Sequence, residues 1–479
     1  MIRFGFRRLP ILVLALMTFA ATTPSFAADK AASRLSLFDL PNGMKVVVIP
    51  DNRAPVVTHY VFYRTGASDE PRGVSGIAHF LEHLMFKSTE KIPNGEFSRI
   101  VEGLGGELNA FTTQDVTAYF ERVAKHNLKR MMEMEADRMV NLRLTDDEVV
   151  TERNVILEER RSRIENSPGS LFSEQMEAAL YQNHPYGVPV IGWEHEMAAL
   201  SRKDALDFYK RFYAPNNAVL VVAGDVTAEE VRALAEETYG KVPPVPAEKL
   251  VRPRVKEPPA RAPRRLTLAD PRAGQPQLHR YYLAPSYTTA AAGDAEALDV
   301  LMNALADGST SRLYRRLVVQ DKLASSSSGY YENGGLDSGK LVLYAVGADV
   351  RDLPRVEAAI DEVIAEVKAN GLSEAEIKRA KAALVADHVY ESDSQSTLAR
   401  RYGWGLATGL TIERMESWPQ DIAKVTNDDI MRVAKTFLDL KASVTGYLVP
   451  EEIKAAGAGA APAPSAPAAA PAATAGSRS

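Results

Sequence analysis

The residues best suited to chemistry lie in the segment GVSGIAHFLEHLMFKST, at positions 73–89. A helix is predicted here, because Ser75 is a candidate N-cap and neither Pro nor Gly interrupts Ile77–Lys87. At 100° per residue, His79, Glu82 and His83 share one arc of this helix. Apolar residues cover the opposite arc, so the helix is expected to bury one face and present two imidazoles and a carboxylate on the other.

This triplet has the composition of a metal centre. Two His one turn apart can reach a single cation, and a Glu beside them can take a proton from water held by that cation. The order His-x-x-Glu-His is the inverse of the common zinc-peptidase helix motif. The alternatives are a chance pentapeptide and a pH-sensitive solvated face, and a third ligand would weigh against both.

The best source of a third ligand is the segment EVVTERNVILEERRSRIE at 148–165, predicted as a helix capped by Thr145 and running through Ile164. Glu152 and Glu159 are seven residues apart, so they lie within about 20° of one face. Burying two carboxylates on an apolar stripe costs free energy unless a cation or hydrogen-bond donors compensate. One would bind the metal and the other a ligand His, but the pattern does not say which. The alternative is a surface salt-bridge face with nearby cations, namely Arg153, Arg160 and Arg163.

These segments resemble the inverzincin peptidases, the family of pitrilysin, insulysin and the mitochondrial processing peptidase β subunit. HFLEH at 79–83 is followed, 76 residues after His83, by Glu159. Three further segments are similar to that family and extend the resemblance over roughly 35–450: GGELNAFTTQDVTAYF at 105–120, HPYGVPVIG at 184–192 and FYAPNNAVLVVAGDV at 212–226. The chain looks like a bacterial single-subunit type.

The resemblance implies a zinc metalloendopeptidase with one Zn²⁺ per chain. It makes His79, His83 and Glu159 the zinc ligands and Glu82 the general base, and it places Glu152 in contact with a ligand His. The resemblance, not the spacing, favours Glu159 over Glu152 as the ligand.

A substrate-binding strand is predicted over Asn109–Thr113, which is apolar and β-branched. In the family, the corresponding strand is an edge that pairs with the substrate backbone, which implies substrate-binding roles for Asn109, Ala110, Phe111 and Thr112. Such pairing would bind an extended peptide with little regard to its side chains. The alternative is an ordinary internal strand.

The chain of 479 residues is too long for one domain. A Pro-rich linker at 243–265 divides it into halves at 33–242 and 266–450. The halves look duplicated, because strand, helix and capped helix recur with Thr145 and Ser373 in equivalent positions, an offset of 228 residues. The predicted fold is α+β: two homologous domains, each a mixed β-sheet packed with helices, forming half of a clam-shaped chamber.

The second half lacks the metal residues. At the same offset, His79–His83 map onto Asp307–Ser311, and the two carboxylates of the helix after Thr145 map onto Ala380 and Asp387. Gly334-Gly335 is predicted as a turn between strands.

The sequence also differs from the family at a second place. Family members supply an Arg and a Tyr, seven residues apart, from a C-terminal half to stabilise the oxyanion. Here Val318 and Ser325 occupy those positions. The chain is therefore expected to be the catalytic subunit of a heterodimer with a non-zinc homologue that supplies the pair. The alternative is a shifted alignment and a homodimer.

The two ends predict export. Residues 1–27 read as a cleaved signal peptide, with Arg3, Arg7 and Arg8 before an apolar run of 12 residues, Leu9–Ala20, too short for a membrane span. An uncleaved anchor is the alternative. The Ala/Pro-rich segment 455–479 reads as a disordered tail. A periplasmic or secreted location follows.

Composition narrows the function classes. The chain has no Cys, which excludes disulfides, Cys-ligated zinc and thiol catalysis. Its net charge of −5 gives no indication of a nucleic-acid partner. The predicted function is zinc-dependent endopeptidase cleavage of unfolded peptides or small exported polypeptides. The alternatives are a non-hydrolytic peptide-holding or scaffold subunit of the same fold, and a periplasmic solute-binding protein.

Overall fold

The computed structural model describes residues 35–450, which lie in one compact unit. The predicted signal peptide (1–27) and tail (455–479) lie outside the described residues. Within residues 35–450, no helix combines the length and apolar character needed to cross a bilayer.

Six strands form the first sheet: β1 (Ser36–Asp39), β2 (Lys45–Pro50), β3 (Val56–Tyr63), β4 (Glu107–Thr112), β5 (Thr117–Ala124) and β6 (Ala218–Gly224). Their order is β1-β2-β6-β3-β5-β4, so β4 is an edge strand. Only β2 and β6 are parallel neighbours. The α-helices of this half are α1 (Ile77–Leu84), α2 (Glu96–Gly103), α3 (Leu128–Val140), α4 (Asp146–Arg160), α5 (Pro168–Leu180), α6 (Glu194–Met197), α7 (Arg202–Phe212) and α8 (Ala228–Glu237).

Five strands form the second sheet: β7 (Arg264–Ala269), β8 (Gln277–Ala284), β9 (Ala324–Glu332), β10 (Gly339–Gly347) and β11 (Ser443–Val449). Their order is β7-β11-β8-β10-β9, and only β7 and β11 are parallel. The α-helices are α9 (Asp294–Ala306), α10 (Arg312–Tyr314), α11 (Leu353–Asn370), α12 (Glu374–Glu391), α13 (Gln395–Ala407), α14 (Ile412–Lys424) and α15 (Asn427–Phe437).

The two sheets share one plan. The antiparallel order β3-β5-β4 recurs as β8-β10-β9, and the parallel pair β2–β6 recurs as β7–β11. The repeated block predicted from the sequence is present as β5-α3-α4 and β10-α11-α12. Thr145 and Ser373 each cap their helix in a capping box, which satisfies the first orphan amides of α4 and α12. The prediction of two similar mixed-sheet domains is confirmed.

The 228-residue offset holds at α4 and α12 but not before them. Helix α9 follows β8 as α1 follows β3, so α9 is the counterpart of α1. Asp307–Ser311, the predicted counterpart of His79–His83, instead begins at the C-cap of α9 and ends at the N-cap of α10. The mapping was wrong because α11 has 18 residues and its counterpart α3 has 13, so every element before these helices is paired at a smaller offset.

The first sheet is covered on both faces. Helix α1 and the buried part of α3 pack on one face, in a core that includes Val61, Leu81 and Met131. On the other face, α13 from the second half of the chain packs against β3 and β6, with Phe62 and Ala399 in that cluster. The described halves therefore share a core across the Pro-rich linker.

Ionic contacts also hold the linker and the second half to the first. Arg252 of the linker pairs with Asp69 at 2.6 Å, and Arg254 pairs with Asp337 at 2.6 Å. Asp337 follows Gly334-Gly335, which lies between β9 and β10 as predicted. The linker is thus fastened along its length and does not hang free between the halves.

Candidate active site

Helix α1 positions His79, Glu82 and His83. Its apolar side chains, including Phe80 and Leu84, are fully buried, which turns the polar arc towards a cleft. The predicted cap was wrong, because the Ser75 hydroxyl accepts a hydrogen bond from the Trp193 amide at 2.9 Å. The carboxylate of Glu70 caps the helix instead, accepting from the amides of Gly76 and Ala78 at 2.9 Å each.

Helix α4 brings two carboxylates to these imidazoles. Glu159 Oε2 lies 3.8 Å from His79 Nε2 and 3.5 Å from His83 Nε2. Glu152 Oε1 lies 2.8 Å from the other ring nitrogen of the second imidazole, His83 Nδ1. Glu158 points away, exposed and paired with Arg161. The two carboxylates that the spacing singled out therefore contact opposite sides of one His.

These atoms have the composition of a zinc site. Among residues 35–450, His79, His83 and Glu159 form the one group of three whose ligand atoms lie within 4.8 Å of one another. Glu159 Oε2 is buried, faces both imidazoles and has no hydrogen-bond partner, a state that a cation would relieve. Ligands about 2.1 Å from a tetrahedral zinc are roughly 3.4 Å apart, close to the separations found here.

The two imidazoles differ in protonation. Burial, with smaller contributions from the neighbouring His83 and Arg163, lowers the pKa of His79 to about 3, so its imidazole is neutral at physiological pH. Burial acts in the same direction on His83, but its hydrogen bond to Glu152 and the surrounding carboxylates outweigh burial and raise its pKa. A cation at the Nε2 atoms would compete with that proton.

Two cations hold the outer atoms of the carboxylates: Lys87, which the sequence interpretation missed, and Arg163, which it considered only as part of a surface salt-bridge face. Lys87 Nζ lies 2.5 Å from Glu152 Oε2, and Arg163 Nη1 lies 2.6 Å from Glu159 Oε1. Each cation takes one oxygen and leaves the other oxygen for the imidazoles. The i,i+4 spacing in the sequence could have indicated both cations, because Lys87 follows His83 by four residues and Arg163 follows Glu159 by four.

Glu82 lies beside the metal group and is held by β4. The Thr112 hydroxyl donates a hydrogen bond to Glu82 Oε2 at 2.6 Å. Burial raises the pKa of Glu82, while the Thr112 hydrogen bond and the adjacent His83 act in the opposite direction. A carboxylate whose pKa is raised in this way is suited to accept and return a proton near neutral pH.

The edge position predicted for the substrate strand is present. Strand β4 pairs with β5 on one side only, from Glu107 to Thr112. Ala110 packs against the core beneath α1, and Thr112 contacts Glu82, so these side chains face the metal group. Phe111 alternates to the opposite face and packs towards α13. The free main-chain edge lies beside a cleft of about 980 Å³ that His79, Glu82, Asn109 and Phe111 help to line.

The positions expected for the Arg/Tyr pair lie in the second half. Val318 is in the turn of π-helix that follows α10 and packs on the second hydrophobic core. Ser325 lies on β9, where its hydroxyl donates to the Val346 carbonyl at 3.4 Å. Among the described residues that line the cleft, Arg163 is the one Arg, and no Tyr is present.

Comparisons with known proteins agree with this geometry. Residues 45–193 match the family model described as Insulinase (Peptidase family M16), and residues 199–384 match the Peptidase M16 inactive domain. The zinc protease PqqE of Helicobacter pylori is 31% identical over 86% of this chain and 92% of its own. A probable mitochondrial-processing peptidase subunit β of Schizosaccharomyces pombe is 27% identical over 88% and 93%. The crystal structure of a protease from Helicobacter pylori superposes with a TM-score of 0.81, at 29% identity, over 86% of this chain and 99% of that one.

Proposed function

Since the chain belongs to the M16 (insulinase) family of peptidases, we propose that it is a zinc-dependent endopeptidase that cleaves extended peptides. The observation that carries the proposal is the convergence of His79 Nε2, His83 Nε2 and the unpaired Glu159 Oε2. This group lies beside a buried carboxylate and an open strand edge in one cleft.

The chain's own groups divide the chemistry between them. Zn²⁺, when bound, supplies a Lewis acid that lowers the pKa of water and polarises a carbonyl. Glu82 takes a proton from the attacking water and returns it to the leaving amine, while Thr112 fixes one of its oxygens. Strand β4 holds the peptide extended by main-chain hydrogen bonds, which orients the scissile bond without reading the sequence.

The test is Glu82→Gln, which keeps the shape of the side chain and removes its basicity. Peptide hydrolysis should fall by about 10²- to 10⁴-fold, with zinc content unchanged. Glu158→Gln, the same change at an exposed position on α4, should leave both quantities at the wild-type level. Hydrolysis by Glu82→Gln at the wild-type rate, measured with any partner present, would overturn the proposal.

The proposal includes a partner subunit. Val318 and Ser325 stand where an Arg/Tyr pair is expected, so a non-zinc homologue would supply these groups across a chamber. Light scattering and hydrolysis assays on the purified chain, alone and mixed with such a homologue, test this. A chain that is dimeric and fully active alone would favour the homodimer.

The rival function is a peptide-holding or scaffold subunit, and the missing Arg/Tyr pair favours it. Intact zinc-ligand candidates His79, His83 and Glu159 weigh against it. One zinc per chain, peptide binding and no cleavage of any peptide library with the cognate partner present would select the rival.

We also propose that the mature protein is exported, most simply to a bacterial periplasm, after cleavage of residues 1–27. N-terminal sequencing of the protein recovered from that compartment tests it. A mature chain that begins at Met1 would contradict it.

A further inference from the structure

A cation stands on an aromatic platform on the face of β4 that is turned away from the metal group. The Arg400 guanidinium lies 5.0 Å from the ring centre of Phe111 and 5.9 Å from that of Trp404. The two rings are stacked at 6.0 Å and 23°. Trp404 Nε1 donates to the Gly334 carbonyl at 2.7 Å, which fixes the platform to the β9–β10 turn. The platform therefore joins α13, β4 and that turn.

The charge of Arg400 is not matched by a carboxylate. Its neighbour Arg401 pairs with Glu391 at 2.8 Å, but no residue within 35–450 forms an ion pair or a hydrogen bond with Arg400, whose guanidinium lies against the two rings. The side chain is exposed. An Arg on aromatic faces keeps its donors free in the plane of the guanidinium, ready for a carboxylate.

The position of this cation relative to β4 matters for a bound peptide. A peptide that adds to the free edge of β4 continues the sheet, so its side chains alternate between the two faces. Peptide side chains on one face would lie near Thr112, α1 and the metal group. Peptide side chains on the other face would lie near Phe111 and Arg400. Every second residue of the peptide would therefore project towards the Arg400 side.

We propose that Arg400, supported by Phe111 and Trp404, is a specificity subsite for a carboxylate on a peptide paired with β4. The group would be an Asp or Glu side chain, or a terminal carboxylate, on the face opposite the metal group. This inference rests on the proposed function, because it requires a peptide on the β4 edge. It adds a charge preference to a strand edge that otherwise binds main chain alone.

The test uses binding, which separates recognition from cleavage. Fluorescent peptides that carry Asp, Asn or Lys at one scanned position are titrated into the mature chain with Glu82→Gln. At the best position, Asp should bind about fivefold tighter than Asn, the upper range for an exposed ion pair, and less so at high salt. Arg400→Met should remove this ratio, and Arg400→Glu should reverse it in favour of Lys.

A matched control is Arg130→Glu, since Arg130 is exposed on α3 and has no ion-pair partner among the described residues. It changes the net charge equally and should leave the Asp/Asn ratio intact. C-terminally amidated peptides distinguish a side-chain carboxylate from a terminal one, because only terminal recognition is lost on amidation.

The outcomes separate the two proposals. If Arg400→Glu weakened the binding of Asp, Asn and Lys peptides equally, Arg400 would only stabilise β4. That result would refute the proposed subsite. An Asp/Asn ratio near one in the protein with Arg400 intact would do the same. Failure of every peptide to bind, with any partner subunit present, would refute the β4 edge as a peptide site and, with it, the proposed function.

Discussion

The contact between Glu152 and His83 gives the sharpest test of the candidate metal centre. Glu152 is not one of the three candidate ligands, but its carboxylate accepts a hydrogen bond from His83 Nδ1 at 2.8 Å and pairs with Lys87. This contact fixes the ring so that Nε2 points at Glu159, and it makes the imidazole a stronger donor to a metal. The Glu152 side chain is 10% exposed, so solvent screens the contact weakly.

Two substitutions separate charge from hydrogen bonding. Glu152→Gln keeps an oxygen for His83 Nδ1 and loses the charge, whereas Glu152→Ala loses both. Loss of such an outer contact weakens metal binding by about 10- to 100-fold, so we expect about 10-fold for Gln and about 100-fold for Ala. These losses correspond to about 1.4 and about 2.7 kcal/mol of zinc binding free energy.

The assay is competition for Zn²⁺ with a fluorescent chelator at pH 7.5, with thermal unfolding of the apo-protein as a check on folding. Glu158→Gln, on the same helix but paired with Arg161 in solvent, is the control and should bind zinc as the wild type does. Zinc dissociation constants within twofold of wild type for both Glu152 variants would refute the reasoning. So would an equal loss in the control.

Three further predictions concern the rest of the molecule. Arg138→Met should lower the free energy of unfolding in urea by about 3–5 kcal/mol, because it leaves the buried Glu135 unpaired; a loss below 1 kcal/mol would contradict this. Burial raises the pKa of Asp299 to about 6, so the stability gained from its protonated form is complete below about pH 4 and is lost as pH rises through 6. Asp299→Asn should therefore gain about 2 kcal/mol relative to wild type between pH 4.5 and pH 7, and a pH-independent difference in urea unfolding would count against it. Thr112→Val should reduce kcat about tenfold with KM and zinc content unchanged, since Glu82 loses its hydrogen bond, whereas Thr112→Ser should retain activity; equal loss in both would point to a packing effect.

Helical periodicity was enough to predict which side chains of the site share a helix face. His79 and His83 had to share a face, and so did Glu152 and Glu159, because one turn and two turns of a helix return side chains to the same side. Which carboxylate meets which ring nitrogen depends on how α1 and α4 cross. That crossing is a tertiary property, and periodicity within one helix does not contain it.

The contacts that the sequence did not predict also depend on tertiary packing. Ser75 has the right type and position for a cap, but a distant loop brings the Trp193 amide to its hydroxyl, and Glu70 takes over the helix amides. Lys87 follows His83 by four residues, but that spacing does not show that its ammonium reaches across to Glu152 on α4. The contact depends on how the two helices pack.

The place of α13 in the fold has a consequence for how the protein is made. This helix covers the second face of the first sheet, but it is synthesised about 170 residues after β6, the last strand of that sheet. During synthesis, the first half therefore exposes an apolar sheet face until the chain is nearly complete. Contacts of such long sequence separation form slowly. We therefore expect a chaperone to shield this face during folding. We also expect a fragment that ends in the linker to aggregate.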